Sequence, residues 1–355
     1  MSTIAHQRLY NQHLEGTKFQ TPGEVVAWLC AVQGQEYALA KWALGLRMEN
    51  ATDDVVEQAF TDGAILRTHV MRPTWHFVTP ADIRWILELT APRVHAVNGH
   101  MYRRLELDAA LFVRSNDAIA RALEGGKHLT RAELAAVLMK IGIDTSSGMR
   151  LGYIVHHAEL EGIVCSGPRK GKQHTYALIV ERAPQARRLA RDEALAELTL
   201  RFFTSHGPAM VKDFAWWSGL TVADVKAGLA MLGDQVAHET IDGQEYWFSP
   251  ALPIGGKPVT AGHLLPVYDE YTIAYKNHSA ALDPLYAELT NQGFFTSAFV
   301  MRGEIISMWR RTFRKQSVVI EAMPFRPFSA AEQEAFANAA HRFGAFLGLP
   351  VELVQ

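Results

Sequence analysis

The chain is poor in the features that usually declare a protein's chemistry. Its 355 residues hold two cysteines, Cys30 and Cys165, far apart and in unrelated contexts. That argues against a disulfide framework and for a reducing compartment. Neither sign of charge dominates: 35 Lys and Arg against 37 Asp and Glu leave −2. No global electrostatic footprint marks a nucleic-acid binder, so any basic surface must be local. No apolar run approaches a membrane span and no signal-peptide pattern opens the chain, so a soluble, cytoplasmic protein is expected. A Gly-rich phosphate loop and a Ser nucleophile motif are both missing. The 15 histidines show no two-ligand helical spacing with a third ligand nearby, since His156 and His157 are adjacent and splay apart on a helix. No metal site is read.

What is present is a recurring order of elements, in a chain long enough for two to four compact units and 48% apolar. Thr21-Pro22-Gly23-Glu24 combines an N-cap, Pro at the first helical position and a capping-box Glu. It predicts a helix to about Gln33, with Gly34 in a left-handed conformation ending it. A second helix is expected from Glu36 to Leu46 and a third, capped by Thr52, from Asp53 to Phe60. Strand-like runs Ile65–Val70 and Thr74–Val78 follow. Leu129-Thr130-Arg131-Ala132-Glu133 opens a second series: helix Arg131–Ile141, helix Ser147–Glu161, then a hairpin turned at Gly167 to Lys172. A third has helices Asp192–Ser205, Ala209–Trp217 and Val222–Leu232, then a hairpin turned at Asp242-Gly243. Three helix-turn-helix-plus-hairpin units in tandem is a winged-helix plan.

After Pro250 the pattern changes. Pro253 to Pro258 reads as a linker, followed by strands at Leu264–Ala274, Thr296–Met301, Glu304–Met308 and Ser317–Ala322 and a closing helix Ala330–Leu347. The expected class is α+β: winged-helix units at 1–104, 105–182 and 183–250, and a β-rich domain closed by a helix at 251–355.

Three local basic clusters stand out. Arg169-Lys170-Gly171-Lys172 forms the second wing, suited to straddling phosphates. Trp309-Arg310-Arg311-Thr312-Phe313-Arg314-Lys315 interleaves cations with aromatics able to stack on a flat group. Arg182, Arg187, Arg188 and Arg191 are placed on a linker helix. Each alone fits a solvated face; together, attached to winged helices, they point to DNA.

Gln33-Gly34-Gln35 taken alone fits a solvent-facing helix end. In an unbroken helix residues two apart point to nearly opposite sides, so a break at Gly34 is what would let both amides share one target. His76, between apolar neighbours in the first wing, fits a hydrogen-bonded core histidine, with His69 on the opposing strand. Asp269 and Glu270 read as structural partners for arginines.

Ala31-Val32-Gln33-Gly34-Gln35, Arg67, and Arg72-Pro73-Thr74-Trp75-His76-Phe77-Val78-Thr79-Pro80-Ala81-Asp82 resemble the AlkZ-like winged-helix DNA glycosylases. So do Leu264-Leu265-Pro266-Val267-Tyr268-Asp269-Glu270-Tyr271 and the stretch from Gly303-Glu304 to Trp309-Arg310-Arg311. The blocks keep the family's order over nearly the whole chain. The resemblance implies tandem winged helices in a curved arrangement that hydrolyse N-glycosidic bonds of alkylated purines in DNA, in some members within interstrand crosslinks. Its Gln-x-Gln or Gln-x-Asp signature falls on Gln33 and Gln35, with His76 a neighbour of the site. Arg72, Arg169, Lys170, Lys172, Trp309, Arg310 and Arg311 are the expected DNA contacts. Two departures occur: Gly34 replaces the usual apolar middle residue, and Ser307 the Gly before the Trp-Arg-Arg block.

That assignment is chemically selective. An amide is not a general base. It can orient a water and aim a carbonyl dipole at an oxocarbenium sugar, an effect of roughly 2–4 kcal/mol by analogy with one oxyanion-hole donor. Such help suffices only for a base that leaves readily, as an N7-alkylated purine does. The expected partner is double-stranded DNA carrying alkylated purines, met by a monomer that needs no cofactor. A non-catalytic winged-helix regulator and a hydrolase of a non-DNA substrate are the alternatives.

Overall fold

The computed structural model describes residues 3–252, 261–290 and 296–354; the linker expected at 253–258 lies outside them. In chain order the first third holds α1 (Thr3–Asn11), α2 (Pro22–Leu29), β1 (Val32–Gln33), α3 (Tyr37–Gly45), α4 (Asp53–Asp62), β2 (Leu66–Val70), β3 (Thr74–Val78) and α5 (Ile83–Arg104). Next come α6 (Ala109–Leu123), β4 (Leu129–Thr130), α7 (Arg131–Lys140), α8 (Gly148–Leu160), β5 (Val164–Lys170), β6 (Gln173–Leu178) and α9 (Ile179–Arg182). Then follow α10 (Arg191–Ser205), α11 (Val211–Ser218), α12 (Val222–Leu232), β7 (Ala237–Ile241) and β8 (Gln244–Phe248). The last stretch contains β9 (Gly262–Leu265), α13 (Glu270–Ile273), β10 (Ala298–Met301), β11 (Glu304–Phe313), β12 (Val318–Pro324), α14 (Ala330–Leu347) and β13 (Val351–Val354). The chain is mixed α+β, and in three places a run of helices is followed by an antiparallel hairpin: β2–β3, β5–β6 and β7–β8.

Local signals explain most boundaries. Thr21 and Thr130 form the capping boxes that open α2 and α7, and the hairpin at Asp242-Gly243 has positive φ at both residues, 50° and 73°, as a type I′ turn requires. Four expectations need correction. The first helix ends at Leu29, and Cys30, with a positive φ of 69°, makes the break that was assigned to Gly34. The backbone of 32–34 instead joins the first hairpin as β1, because strand β3 offers it a ladder: Val32 pairs with Phe77 and Gln33 with His76, and the Gly34 N–H donates to Trp75 O at 2.7 Å. The strand expected over Leu264–Ala274 stops at Leu265, since Asp269 caps the short helix α13 by accepting the Tyr271 N–H. The arginine-rich linker helix ends at Arg182, where Pro184 disfavours helical geometry for Ala183. Finally, β11 runs on past Met308 to Phe313. The long helix α5, together with α6 and the strands β1, β4 and β13, had no counterpart in the sequence reading.

Three large cores hold the elements. One joins α1–α4 to the five-stranded sheet β13-β12-β11-β10-β9 and α14. Trp42 cements it, edge-on to Phe343 at 5.2 Å with its indole N–H on Leu264 O at 2.7 Å. A second fills the space between β2–β3, α5 and α10–α12. The third lies within α6–α8 and β5–β6. Arg47, with no exposed surface, bridges elements of the first core: its guanidinium forks onto Asp269 at 2.8 and 2.9 Å and also reaches Gln12 and Ala43. Asp269 is therefore an arginine's structural partner, as expected.

Candidate active site

Gln33 is the best-anchored of the expected site residues. Its backbone N–H donates to Glu270 Oε1 at 2.8 Å, and its amide Oε1 accepts from Arg72 Nη2 at 3.0 Å. Arginine only donates, so the amide oxygen must face it. The residue is 5% exposed. Glu270 is fully buried, and its second oxygen accepts the Trp217 indole N–H at 2.8 Å. Burial opposes its ionisation, but the interaction with His206 and the Gln33 N–H outweigh it and hold the carboxyl below its ordinary value. The sequence placed Glu270 with structural ion pairs; in the fold it is the post on which Gln33 is hung.

His76 lies opposite Gln33 in the ladder and has no exposed surface. Its Nδ1 lies 3.0 Å from Thr74 O, while Nε2 has no hydrogen-bond partner. A carbonyl can only accept, so the proton sits on Nδ1 and Nε2 is a bare lone pair. Burial, then the Arg72 charge, push its pKa down to about 3, which keeps the ring neutral at physiological pH. Its place is behind Gln33, not on the surface. Arg72 itself is half-buried and sits 5.4 Å from the Trp216 ring.

Gly34 links the two glutamines. Its N–H is held by Trp75 and its carbonyl accepts Arg67 Nε at 2.8 Å. Gln35 follows it and is exposed. Just beyond, the Tyr37 ring is surrounded by cations: Arg169 at 4.9 Å, Lys41 at 5.3 Å and Arg67 at 6.0 Å. Arg67 also lies 4.2 Å over Trp75. Trp75 lines a cleft of about 420 Å³ whose walls also include Arg67, Glu159, His174 and Tyr176. Tyr37 and Lys41 were missed by the sequence reading; their i,i+4 spacing on α3 was the one available clue.

The expected DNA contacts divide. Lys172 is exposed at the tip of β5–β6. Arg169 and Lys170 beside it are paired with Glu57 and Glu133, each at 3.1 Å. On β11 the strand alternation separates neighbours. Arg310 faces outward in a fork with Glu321. Arg311 is half-buried, and the carboxylates of Glu36 and Asp53 act on it, which places it toward the segment that follows Gln35. Trp309 is 3% exposed, with its indole N–H on Leu265 O at 2.8 Å and Phe343 edge-on at 5.4 Å. The expected stacking face is thus enclosed in the core, because the Trp-Arg-Arg block is strand and its first side chain points inward. Both cysteines are free and buried, and burial pushes each thiol up to about 12, so neither is poised as a nucleophile.

Gln33 is thus held at its backbone by a carboxylate and at its side-chain amide by a guanidinium. Residues 26–346 match the family model described as DNA glycosylase AlkZ-like. The chain belongs to that family and is a hydrolase of N-glycosyl bonds. Among curated proteins it is similar to an interstrand DNA cross-link repair glycosylase of Streptomyces sahachiroi, 24% identical over 98% of this chain and 97% of that one. Its fold matches the solved structure of the Streptomyces sahachiroi DNA glycosylase AlkZ with a TM-score of 0.83, at 22% identity over 99% of both chains.

Proposed function

We propose that this enzyme is a monofunctional DNA glycosylase for N7-alkylated purines, including those in interstrand crosslinks, with Gln33 and Gln35 as the catalytic pair. The observation that carries the reading is the double anchoring of Gln33, by Glu270 at its backbone and by Arg72 at its amide. One lone pair of the amide oxygen is taken by Arg72, and the second can accept a proton of a bound water. The strand β1 ends at Gln33, and Gln35 lies exposed in the bend beyond Gly34; on this reading the Gln35 side chain reaches back to share the water held by Gln33. His76 acts as a positioning residue behind them.

In the reaction, water oxygen attacks C1′ as the bond from C1′ to N9 breaks. The electron pair leaves with the base and cancels the N7 cation, and the water's proton passes to solvent. No acid is needed because the leaving group departs neutral. Glu270, buried and ionised, offsets the Arg72 charge that would otherwise oppose the oxocarbenium ion.

The three helix-and-hairpin runs act on this reading as tandem winged helices, at 1–104, 105–182 and 183–250, with 251–355 buttressing the first. Arg72, Arg169, Lys170, Lys172, Arg310 and Arg311 track the phosphates of duplex DNA. The enzyme works as a cytoplasmic monomer; among the described residues no helix is long and apolar enough to cross a membrane. The test is release of 7-methylguanine from duplex DNA by the wild type, Gln33→Ala, Gln35→Ala and the double variant. If the wild type releases no more base than the double variant, the assignment of the glutamines fails.

A further inference from the structure

A second cluster of side chains lies apart from the glutamines, where α5 packs on α8. His95 projects from α5. His157 and Glu161 come from one turn at the end of α8. One nitrogen or oxygen from each lies within 4.8 Å of the others. His95 Nε2 is 3.1 Å and His157 Nε2 3.9 Å from Glu161 Oε1. On a tetrahedron with zinc-to-ligand bonds of about 2.0–2.1 Å, donor atoms stand roughly 3.3 Å apart, so side-chain adjustments closing the widest separation by at most about 1.5 Å bring both imidazoles into place around the carboxylate.

Two unsatisfied atoms point the same way. His95 Nε2 is buried and has no hydrogen-bond partner despite its distance to Glu161, and Asn116 Oδ1 is buried without one too. The Asn116 amide nitrogen sits 3.3 Å from His157 Nδ1. Turning that amide over places its oxygen on the Nδ1 proton and leaves His157 Nε2 as a lone pair. The Tyr102 hydroxyl, 2.9 Å from His95 Nδ1, can accept the corresponding proton of His95. Each imidazole then has the outer partner that orients a metal ligand. The His157 ring is held by stacking on Phe112 at 3.6 Å and 10°.

We infer that His95, His157 and Glu161 form a binding site for one zinc ion, or another divalent transition ion that favours imidazole, clipping α5 to α8. A cavity of about 220 Å³ beside His95 and Glu161 leaves room for a water as fourth ligand. The donor set, two imidazoles and a carboxylate, suits zinc, cobalt or nickel rather than magnesium or calcium. Its role is structural: the clip ties the helix after the first hairpin to the second helical unit.

The test uses the full chain stripped with a chelator, titrated with Zn²⁺ and separately with Co²⁺, and followed by calorimetry, visible absorption and thermal unfolding. One ion per chain, a cobalt ligand-field spectrum and a rise in Tm are expected. In His95→Gln and Glu161→Gln the affinity falls at least tenfold and the rise in Tm is lost. His238→Gln, which alters an exposed histidine 3.2 Å from Glu245, leaves both unchanged. Glu161 is half exposed and its Gln replacement keeps its shape, so that variant reports even where His95→Gln weakens the fold. Absence of stoichiometric binding, or equal binding by wild type and both site variants, overturns the inference.

Discussion

Arg72 Nη2 donates to Gln33 Oε1 at 3.0 Å, while the same glutamine's backbone N–H is held by Glu270 at 2.8 Å. The amide cannot turn over without presenting its NH₂ to a cation, so its oxygen has one orientation. On the proposed assignment, a weak catalytic group gains its effect from that fixed aim, because a preorganised dipole costs no reorganisation as charge develops.

Removing the amide should therefore lower the chemical step more than DNA binding. Gln33→Ala is expected to reduce single-turnover base release by roughly 10²–10³-fold. Arg72→Met leaves the amide present but unaimed, and should cost about 10–100-fold. Gln35→Ala alters an exposed side chain and should shift unfolding free energy by less than about 0.5 kcal/mol while lowering release. Rapid-quench kinetics beside urea unfolding separate these effects.

Glu270→Gln puts an NH₂ group where one of two buried N–H donors, from Gln33 or Trp217, now finds an oxygen. A lost buried hydrogen bond of this kind costs about 1–3 kcal/mol. Since the folded-state pKa of Glu270 lies below its ordinary value, its ionised form stabilises the fold above the unfolded pKa. That contribution is lost as pH falls through the folded value. The wild type's advantage over Glu270→Gln in urea midpoint should shrink on acidification; a constant gap between pH 7 and pH 3.5 would contradict it.

Glu15 has the opposite sign. Burial raises its pKa to about 7, with Lys18 opposing, and neither carboxylate oxygen has a hydrogen-bond partner. Its nearest cationic candidates are the imidazoles of His6 and His263, at 3.6 and 3.7 Å. Burial holds His263 well below its ordinary value and so neutral. The protonated carboxyl suits the fold, so stability is full below the unfolded pKa of about 4.5 and declines as pH rises through 7. Glu15→Gln should raise Tm at pH 8 and match the wild type near pH 4.

Lys172 stands at a hairpin tip, whereas Arg169 and Lys170 must release Glu57 and Glu133 before meeting a phosphate. Lys172→Ala should weaken binding to all duplex sequences alike and reduce the slope of log affinity against log salt by about 1. A change confined to one sequence would point to base readout instead.

Much of this architecture was legible where a local signal governs it. Capping residues opened α2, α4 and α7 at the expected positions, and the Asp242-Gly243 turn set the third hairpin. The resemblance carried by Gln33-Gly34-Gln35 and the later blocks led to the correct family. Elements that answer to distant partners were misread or missed. β1 has only two residues, and nothing in Val32-Gln33 shows that β3 will pair with it. Trp309 looked like a surface aromatic because its neighbours are arginines, but one more turn of strand alternation sends it inward.

The sequence alone determined several helix starts, the tight turn at Asp242-Gly243, and the family to which the glutamine motif belongs. These depend on residues within a few positions of one another. Tertiary structure decided that Gln33 ends a strand instead of a helix with Gln35 in the bend beyond it, that Arg72 and Glu270 lock Gln33, and that His76 stands opposite it in the ladder. Glu270 lies 237 positions from Gln33 in the chain, and a contact over that separation is set by how the cores close, which no local pattern encodes.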